Sequence, residues 1–419
     1  MPTLLTINNY HYRRGGAEVV YLEEAALFEQ HGWNVVAFSM SHASNLPSRW
    51  APFFVDEIEY LNKYSWPRVA VNAGKSIFSF EAAAKVKALI RKTHPDIAHA
   101  HNVYHHLSPS VLRAVKQEGI PVFLTLHDVK ILCPAKTMWR EGQACEDCKG
   151  GRIYNVVRHR CMKGSLALSS LIFTETAVHR LLGLYKNTVD KFISPSLFVM
   201  QKFIEWGWPQ DRFVHVPNFV DATAYEPNYA AGQAFLYFGR LSGEKGLTTL
   251  VKAAAIARVS LWIVGTGPEE EALKMLADSL QANVTFYGYK TGGALWDLVR
   301  AARAVVLPSE GYENAPLSIL EAYALGKPAI GARIGGIPEL IHEGVTGRLF
   351  ESKNTQDLAE ALVAVAHMAD SDVEGWGRQA QNVVATEYSP REHFERLLRV
   401  YKLYGLTPGR QQFSASSSS

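Results

Sequence analysis

Residues 3–39 read "TLLTINNYHYRRGGAEVVYLEEAALFEQHGWNVVAFS". An apolar run from Leu4 to Asn8 predicts a strand. A loop follows, and Val19, Leu22 and Ala26 then recur at helical spacing between Ala17 and about Gln30. Gly32 stops the helix, and Val35 to Phe38 is a second apolar run. Strand, crossover helix and strand in immediate succession form the unit from which parallel sheets are built.

The pattern continues. "DIAHA" (96–100), "PVFLTL" (121–126), "DKFIS" (190–194) and "FVHVP" (213–217) are apolar runs bounded by turn signals. Residues 218–233, "NFVDATAYEPNYAAGQ", lack periodicity and read as a linker. A second series follows: "AFLYFGRL", "VSLWIVG", "NVTFYGY", "AVVLP", "PAIGA" and "TGRLF". The fold class is therefore α/β, with two Rossmann-like doubly wound domains facing across a cleft beyond their strand ends. The expected boundaries are 1–217, a linker at 218–233, 234–386, a last helix at 387–405 and a tail at 406–419 ending "SASSSS". The 419 residues are too many for one ordinary core. Charged residues make up 20% and the net charge is +3, which carries no strong nucleic-acid footprint, so no nucleic-acid partner is expected. "MPTLLTINN" lacks a basic n-region, and no apolar run approaches 18 residues. The expected location is cytoplasmic.

Chemistry concentrates in "PSEGYENAPLSILEAYALG" (308–326). Glu321 falls on a helix expected to open with Pro316, and Glu313 falls in the loop before it. Such a loop offers free backbone N–H groups to a phosphate or a polar ligand, here from Asn314, Ala315 and Leu317 around Pro316. A carboxylate suits a vicinal diol, as in dinucleotide folds, although a solvated helix face is the plain alternative for Glu321. In "YFGRLSGEKG", Arg240 and Lys245 sit at a strand end, where two cations suit a diphosphate. Gly15 and Gly16 open the first helix with unobstructed amides. "GTGPEEE" begins like a dinucleotide fingerprint, but Glu270 occupies its third glycine position, which excludes an NAD site.

"GRLSGEKG", "VGTGPEEEAL" and "YENAPLSILEA", together with "RRGGAE", "HPDIAHAHN" and "TLHD", resemble glycosyltransferase family 4 across about residues 1–400. The resemblance implies a GT-B fold and retaining, metal-independent transfer from a nucleotide-sugar donor, with no cofactor required for catalysis. It places the donor ribose on Glu321, the transferred sugar on Glu313 and against His127, and the diphosphate on Arg240, Lys245 and the Gly16 end of the first helix. Retention is then expected by front-face substitution, since no residue marks a nucleophile for double displacement. A UDP-sugar is favoured over GDP-mannose, with a glycan or lipid-linked acceptor in cell-surface polysaccharide synthesis. The alternatives are a nucleotide-sugar epimerase of the same fold and a non-catalytic partner subunit. Tyr289, at a strand end, is placed near the base.

Six of the 15 histidines lie between residues 94 and 127. They read as polar cleft residues rather than a metal site. Asn8, Tyr10, His101, Asn102 and Asp128 are accordingly assigned to the acceptor side. All four cysteines, Cys133, Cys145, Cys148 and Cys161, fall within an inserted segment, 133–163. A C-x2-C pair flanked by gaps of 11 and 12 residues has ligand number and spacing for structural zinc. An iron–sulfur cluster, disulfides or free thiols are the alternatives. Lys136, Arg140, Lys149, Arg152, Arg158, Arg160 and Lys163 surround them. This basic group reads either as a solvated face or as peripheral contact with the inner face of the cytoplasmic membrane. "SPREHFERLLRVYKLYG" repeats Leu397, Val400 and Tyr404 at helical spacing; the resemblance implies that this helix crosses back to the first domain.

Overall fold

The computed structural model of the protein describes residues 1–57 and 66–405, with no side chains described for 66–70; the tail expected at 406–419 lies outside these. The first half contains β1 (Thr3–Ile7), β2 (Asn34–Phe38), β3 (Ile97–Ala100) and β4 (Val122–Thr125). A hairpin of two-residue strands, β5 (Trp139–Arg140) and β6 (Gln143–Ala144), follows within the cysteine segment. β7 (Lys191–Ser194) and β8 (Phe213–His215) complete the first sheet, in the order β2-β1-β3-β4-β7-β8. The second half contains β9 (Ala234–Phe238), β10 (Ser260–Val264), β11 (Val284–Gly288), β12 (Ala304–Leu307), β13 (Ala329–Ala332) and β14 (Gly347–Phe350). They form a sheet in the order β11-β10-β9-β12-β13-β14.

Every pairing within both six-stranded sheets is parallel. Strand order reverses between β1 and β3 in the first sheet and between β9 and β12 in the second. Such reversals open a crevice at the strand ends. Strands β1, β4, β9 and β12 are buried on both faces, which explains their unbroken apolar runs, whereas the edge strand β11 is half-exposed.

Two local expectations shift by one residue. Asn8 lies just beyond β1, and Pro316 stands before the helix Leu317–Ala324 as its cap, with an extended ψ of 116°. Between the sheets, the aperiodic stretch carries only a short 3-10 turn at Ala222–Ala224, capped by Asp221.

The helix Pro390–Lys402 leaves the second half and packs on the first sheet. Phe394, Leu397, Val400 and Tyr401 share a cluster with Leu4, Leu27, Phe28, Ile97 and Phe123. Ser389 caps it by accepting from the Glu392 amide. Its apolar stripe therefore completes a core whose other members run from Leu4 to Phe219. Because Leu397 is wholly buried there, Leu397→Ala is expected to destabilise the protein by about 2–5 kcal/mol. Urea denaturation measures this, and the loss should fall on the transition reported by the first half.

Candidate functional site

A cleft of about 820 Å³ lies between the strand ends of the two sheets. One wall is the loop from β12 to the helix Leu317–Ala324. Within it, Glu313 Oε1 accepts from Lys245 Nζ at 2.7 Å and from Ser309 Oγ at 2.6 Å. Burial alone would lower the pKa of Lys245, but Glu313 outweighs it and holds the ammonium charged, its pKa raised. Arg240 and the largely exposed Tyr289 also line this wall.

Glu321 has a different environment. Burial pushes its carboxyl up to about 7; Glu23 adds to this and Arg13 opposes it. Its helix starts at Leu317, so the free amides there point the same way as the Glu313 loop.

The opposite wall is the N-terminus of the helix Gly16–Gln30. A side chain at Gly16 would meet Leu317 Cδ1 at 3.5 Å, an ordinary contact, so the two helix starts face each other almost in touch. His127 and Asp128, just beyond β4, line the cleft beside it. His127 Nε2 lies 2.9 Å from His101 Nδ1. Asp128 Oδ1 accepts from the Lys130 amide at 2.9 Å, while burial raises its pKa.

The remaining acceptor-side residues are not among those lining this cleft. Asn8 accepts from the Asn102 amide at 3.0 Å and donates to the Tyr10 carbonyl at 2.8 Å. Tyr10 Oη contacts His106 Nε2 at 3.0 Å, and His101 is completely buried. Together they form a packed polar layer behind His127.

Asn314 also departs from the sequence reading. Its side chain does not project as a free ligand; it donates to the Leu126 carbonyl at 2.7 Å and accepts from Ser196 Oγ at 2.7 Å. The Ala315 carbonyl likewise accepts from Asn218 at 2.9 Å. What this loop offers a ligand is its backbone.

Sequence reasoning missed the support behind that loop. Gly335 has φ +60°, and a Cβ there would stand 2.3 Å from the Glu313 carbonyl oxygen. At Gly336 a Cβ would stand 1.9 Å from the Asn314 carbonyl oxygen, and its amide donates to the Glu313 carbonyl at 2.9 Å. The Gly-Gly pair following β13 was the available signal.

The four cysteines are free and line one small pocket in the inserted segment. Burial, then the other three thiols, pushes Cys148 up to about 12. No three of the sulfurs stand within 4.8 Å of one another; among the described residues only Glu24, His99 and His101 offer ligand atoms that close. Between Cys145 and Cys148, Glu146 accepts from Tyr312 Oη at 3.0 Å and pairs with Lys202 at 2.8 Å. The segment therefore reaches the residue next to Glu313. Of the basic group around it, Arg140 pairs with Glu141 and Lys149 with Glu205. No helix among the described residues is long and apolar enough to cross a membrane.

Two doubly wound sheets, with a half-buried lysine–glutamate pair on one side of the cleft and a glycine-led helix start on the other, define a protein of the GT-B class. Residues 14–224 match the family described as Glycosyltransferase Family 4, and residues 227–383 match that described as Glycosyl transferases group 1. The chain belongs to Glycosyltransferase Family 4. A curated relative, the alpha-D-kanosaminyltransferase of Streptomyces kanamyceticus, is 31% identical over 181 residues, 41% of this chain and 46% of the relative. The chain thus spans about half the length of that relative. The sucrose-phosphate synthase of Thermosynechococcus elongatus shares the fold at a TM-score of 0.68 and 18% identity, over 96% of this chain and 99% of that one. Anabaena HepE in complex with UDP-glucose does so at 0.65 and 18%, over 96% and 99%.

The glycine support can be tested against an internal control. Gly344 also has positive φ, +75°, but a Cβ there meets nothing within 4 Å. Gly344→Ala should cost only the left-handed backbone penalty, about 1–2 kcal/mol. Gly335→Ala should cost clearly more in the same urea titration, because the Glu313 backbone must move. Equal losses would remove the glycine from this account.

Proposed function

We propose that the protein is a retaining glycosyltransferase that moves a hexose or related sugar from a UDP-sugar to a glycan or lipid-linked acceptor in polysaccharide synthesis. The observation that carries this reading is the Lys245–Glu313 pair in a cleft whose facing wall is a glycine-led helix start. Departure of a diphosphate leaves negative charge, which Lys245, Arg240 and the amides at Gly15 and Gly16 are placed to stabilise. Glu313, held by Lys245 and Ser309, takes hydroxyls of the transferred sugar, with His127 on its other side. Glu321 accepts from the ribose diol, and Tyr289 stands at the mouth near the base. A uridine donor is chosen over a guanosine one on the strength of the UDP-glucose complex of Anabaena HepE. We favour front-face substitution, in which the leaving phosphate takes the acceptor proton and no metal is required. Exposed Leu166 and Leu168, shortly after Lys163 in the chain, support peripheral contact with an anionic membrane surface that presents the acceptor. The proposed location is cytoplasmic, at the inner face of the cytoplasmic membrane.

Thermal stabilisation by UDP-, GDP-, ADP- and dTDP-sugars, each against its diphosphate, tests this. Ligand at 100 times Kd adds about 2.7 kcal/mol, so one nucleotide should raise the melting temperature clearly. Without such a response the partner-subunit reading takes precedence. The ionised form of Glu321 is the one that accepts from two hydroxyls. With its carboxyl raised to about 7, affinity for a UDP-sugar should rise roughly tenfold per pH unit up to that value and level off above it. Glu321→Gln should bind weakly and lose this slope. A wild-type titration flat from pH 5.5 to 8 would separate Glu321 from the ribose.

For the cysteine segment we propose that the four thiols close around one zinc ion, which four thiolates would leave without an open position and hence structural. Elemental analysis should then find one zinc per chain, lost in Cys145→Ser, Cys148→Ser together with several degrees of melting temperature. Iron with visible absorption would indicate a cluster instead. Metal-free wild-type protein of undiminished stability would eliminate the site.

A further inference from the structure

Behind His127 lies a buried chain of titratable groups that the proposed chemistry does not use. His101 stacks on His127 at 5.2 Å between ring centroids, and His99 stacks on His101 at 4.7 Å. Glu24, on the helix Gly16–Gln30, is enclosed by three imidazoles. Its Oε1 lies 2.6 Å from His99 Nδ1 and 3.6 Å from His101 Nε2, and its Oε2 lies 3.3 Å from His393 Nε2. His393 comes from the C-terminal helix and bonds the Pro217 carbonyl through Nδ1 at 2.8 Å. His99 is fixed by Thr125 Oγ1 at Nε2 and by Tyr401 Oη at Nδ1, both at 2.7 Å.

This cluster is not built as a metal site. Two ligands about 2.05 Å from one tetrahedral ion stand about 3.3 Å apart. Glu24 Oε1 and His99 Nδ1 approach to 2.6 Å, too close for two ligands of one ion. What the arrangement does fix is the sense of the hydrogen bonds.

Burial opposes the ionised form of Glu24, but the neighbouring imidazoles of His99 and His101, with the hydrogen bond to His393, outweigh it and hold its pKa well below the usual range. The carboxylate can only accept. Burial lowers the pKa of His101 and outweighs Glu24, which raises it; the neutral ring carries its proton on one nitrogen only. Neither Glu24 Oε1 nor His101 Nε2 has a full hydrogen bond, and at 3.6 Å they face each other as charge and dipole. A lone pair directed at the carboxylate would be repelled, whereas an N–H is attracted. The proton of His101 accordingly sits on Nε2, and its Nδ1 is a lone pair. The 2.9 Å contact is then His127 Nε2–H donating to His101 Nδ1. His127, whose pKa burial also lowers, is left with an unprotonated Nδ1.

We propose that Glu24 and His101 are positioning residues that set the tautomer of His127, so that its ring offers the cleft an acceptor nitrogen for a hydroxyl of the transferred sugar. This rests on the sugar-side placement of His127 proposed above. The sugar group it meets must donate a proton: a hydroxyl fits, and a fluoro or keto group at that carbon does not. The same carboxylate binds His393, so the C-terminal helix is tied into the chain that orients the site.

The test is nitrogen-15 NMR of histidine-labelled full-length protein without ligand, with His127→Gln used to assign the His127 signals. The expected wild-type result is His127 protonated at Nε2 and bare at Nδ1. In Glu24→Gln the side-chain amide can donate to His101 Nε2, which should reverse the chain and move the His127 proton to Nδ1. Glu24→Asp, which retains the charge, should keep the wild-type sense. If a UDP-sugar serves as donor, Glu24→Gln should also lower kcat/KM by tenfold or more with little change in UDP affinity. A wild-type His127 protonated at Nδ1 overturns the proposal, even if the glutamine variant does not fold. So does an unchanged tautomer in a folded Glu24→Gln protein. The ligand-free spectra read the tautomer alone, and failure of every nucleotide-sugar to bind would instead count against the proposed function.

Discussion

The side-chain amide of Asn314 joins the two halves of the molecule at the point where their chemistry meets. Its nitrogen donates to the Leu126 carbonyl and its oxygen accepts from Ser196, each at 2.7 Å. Leu126 precedes His127, and Asn314 follows Glu313. One side chain thus ties the backbone beside Glu313 to the backbone beside His127, the two residues proposed to flank the sugar. A single hydrogen bond of this kind contributes only about 0.5–1.5 kcal/mol, but leaving its partners buried and unpaired costs about 1–3 kcal/mol. Its geometric effect exceeds its energetic one. Several other links across the cleft are also polar: Glu339 accepts from the Leu197 and Phe198 amides, and Glu146 accepts from Tyr312, beside a ring contact of Phe198 with Tyr312 at 4.9 Å. Water can replace such contacts without exposing a core, whereas the apolar packing of the C-terminal helix has to stay intact.

That loop tolerates its position only because of what stands behind and beside it. Glycines at 335 and 336 let the chain after β13 approach the Glu313 and Asn314 carbonyls more closely than any side chain would permit. Lys245 and Ser309 bind the same oxygen of Glu313, leaving Oε2 without either of them. The loop is therefore held by two distant segments, at Lys245 and at Gly335–Gly336, and by its own Ser309.

This division explains what could be read from the sequence. Strand and helix alternation is a local property, and so is the helix-start chemistry at Gly16 and Leu317; both were legible. Pairings across long separations were not. Asn314 meets Leu126 from 188 positions away, and nothing in "GYENAP" distinguishes an asparagine facing a ligand from one clamping two domains. Strand-end position placed Asn8, Tyr10, His101 and Asn102 near the cleft, but it does not tell which residues form its surface and which form the layer beneath. Glu24 was concealed further. In "YLEEAALF" it looks like one of two solvated helix charges, yet it is buried while the adjacent Glu23 pairs with Arg13 near the surface. Its partners lie 75, 77 and 369 positions away, at His99, His101 and His393, and helical periodicity alone cannot indicate a carboxylate that three remote imidazoles will enclose.

The two glutamates of the loop and helix show how position divides identical chemistry. Glu313 faces an ammonium at 2.7 Å, so its charge is balanced by the protein before any ligand arrives. Glu321, eight residues on, meets the like charge of Glu23 and the partial relief of Arg13, and burial leaves it close to half-protonated near neutrality. A paired carboxylate is a fixed acceptor whose orientation its partner determines. An unpaired, desolvated one gains more from incoming hydroxyl donors, because they supply the hydrogen bonds that burial removed. The first arrangement suits a group that must be aligned with a reacting centre. The second suits an anchor, where free energy gained on contact matters more than a preset angle.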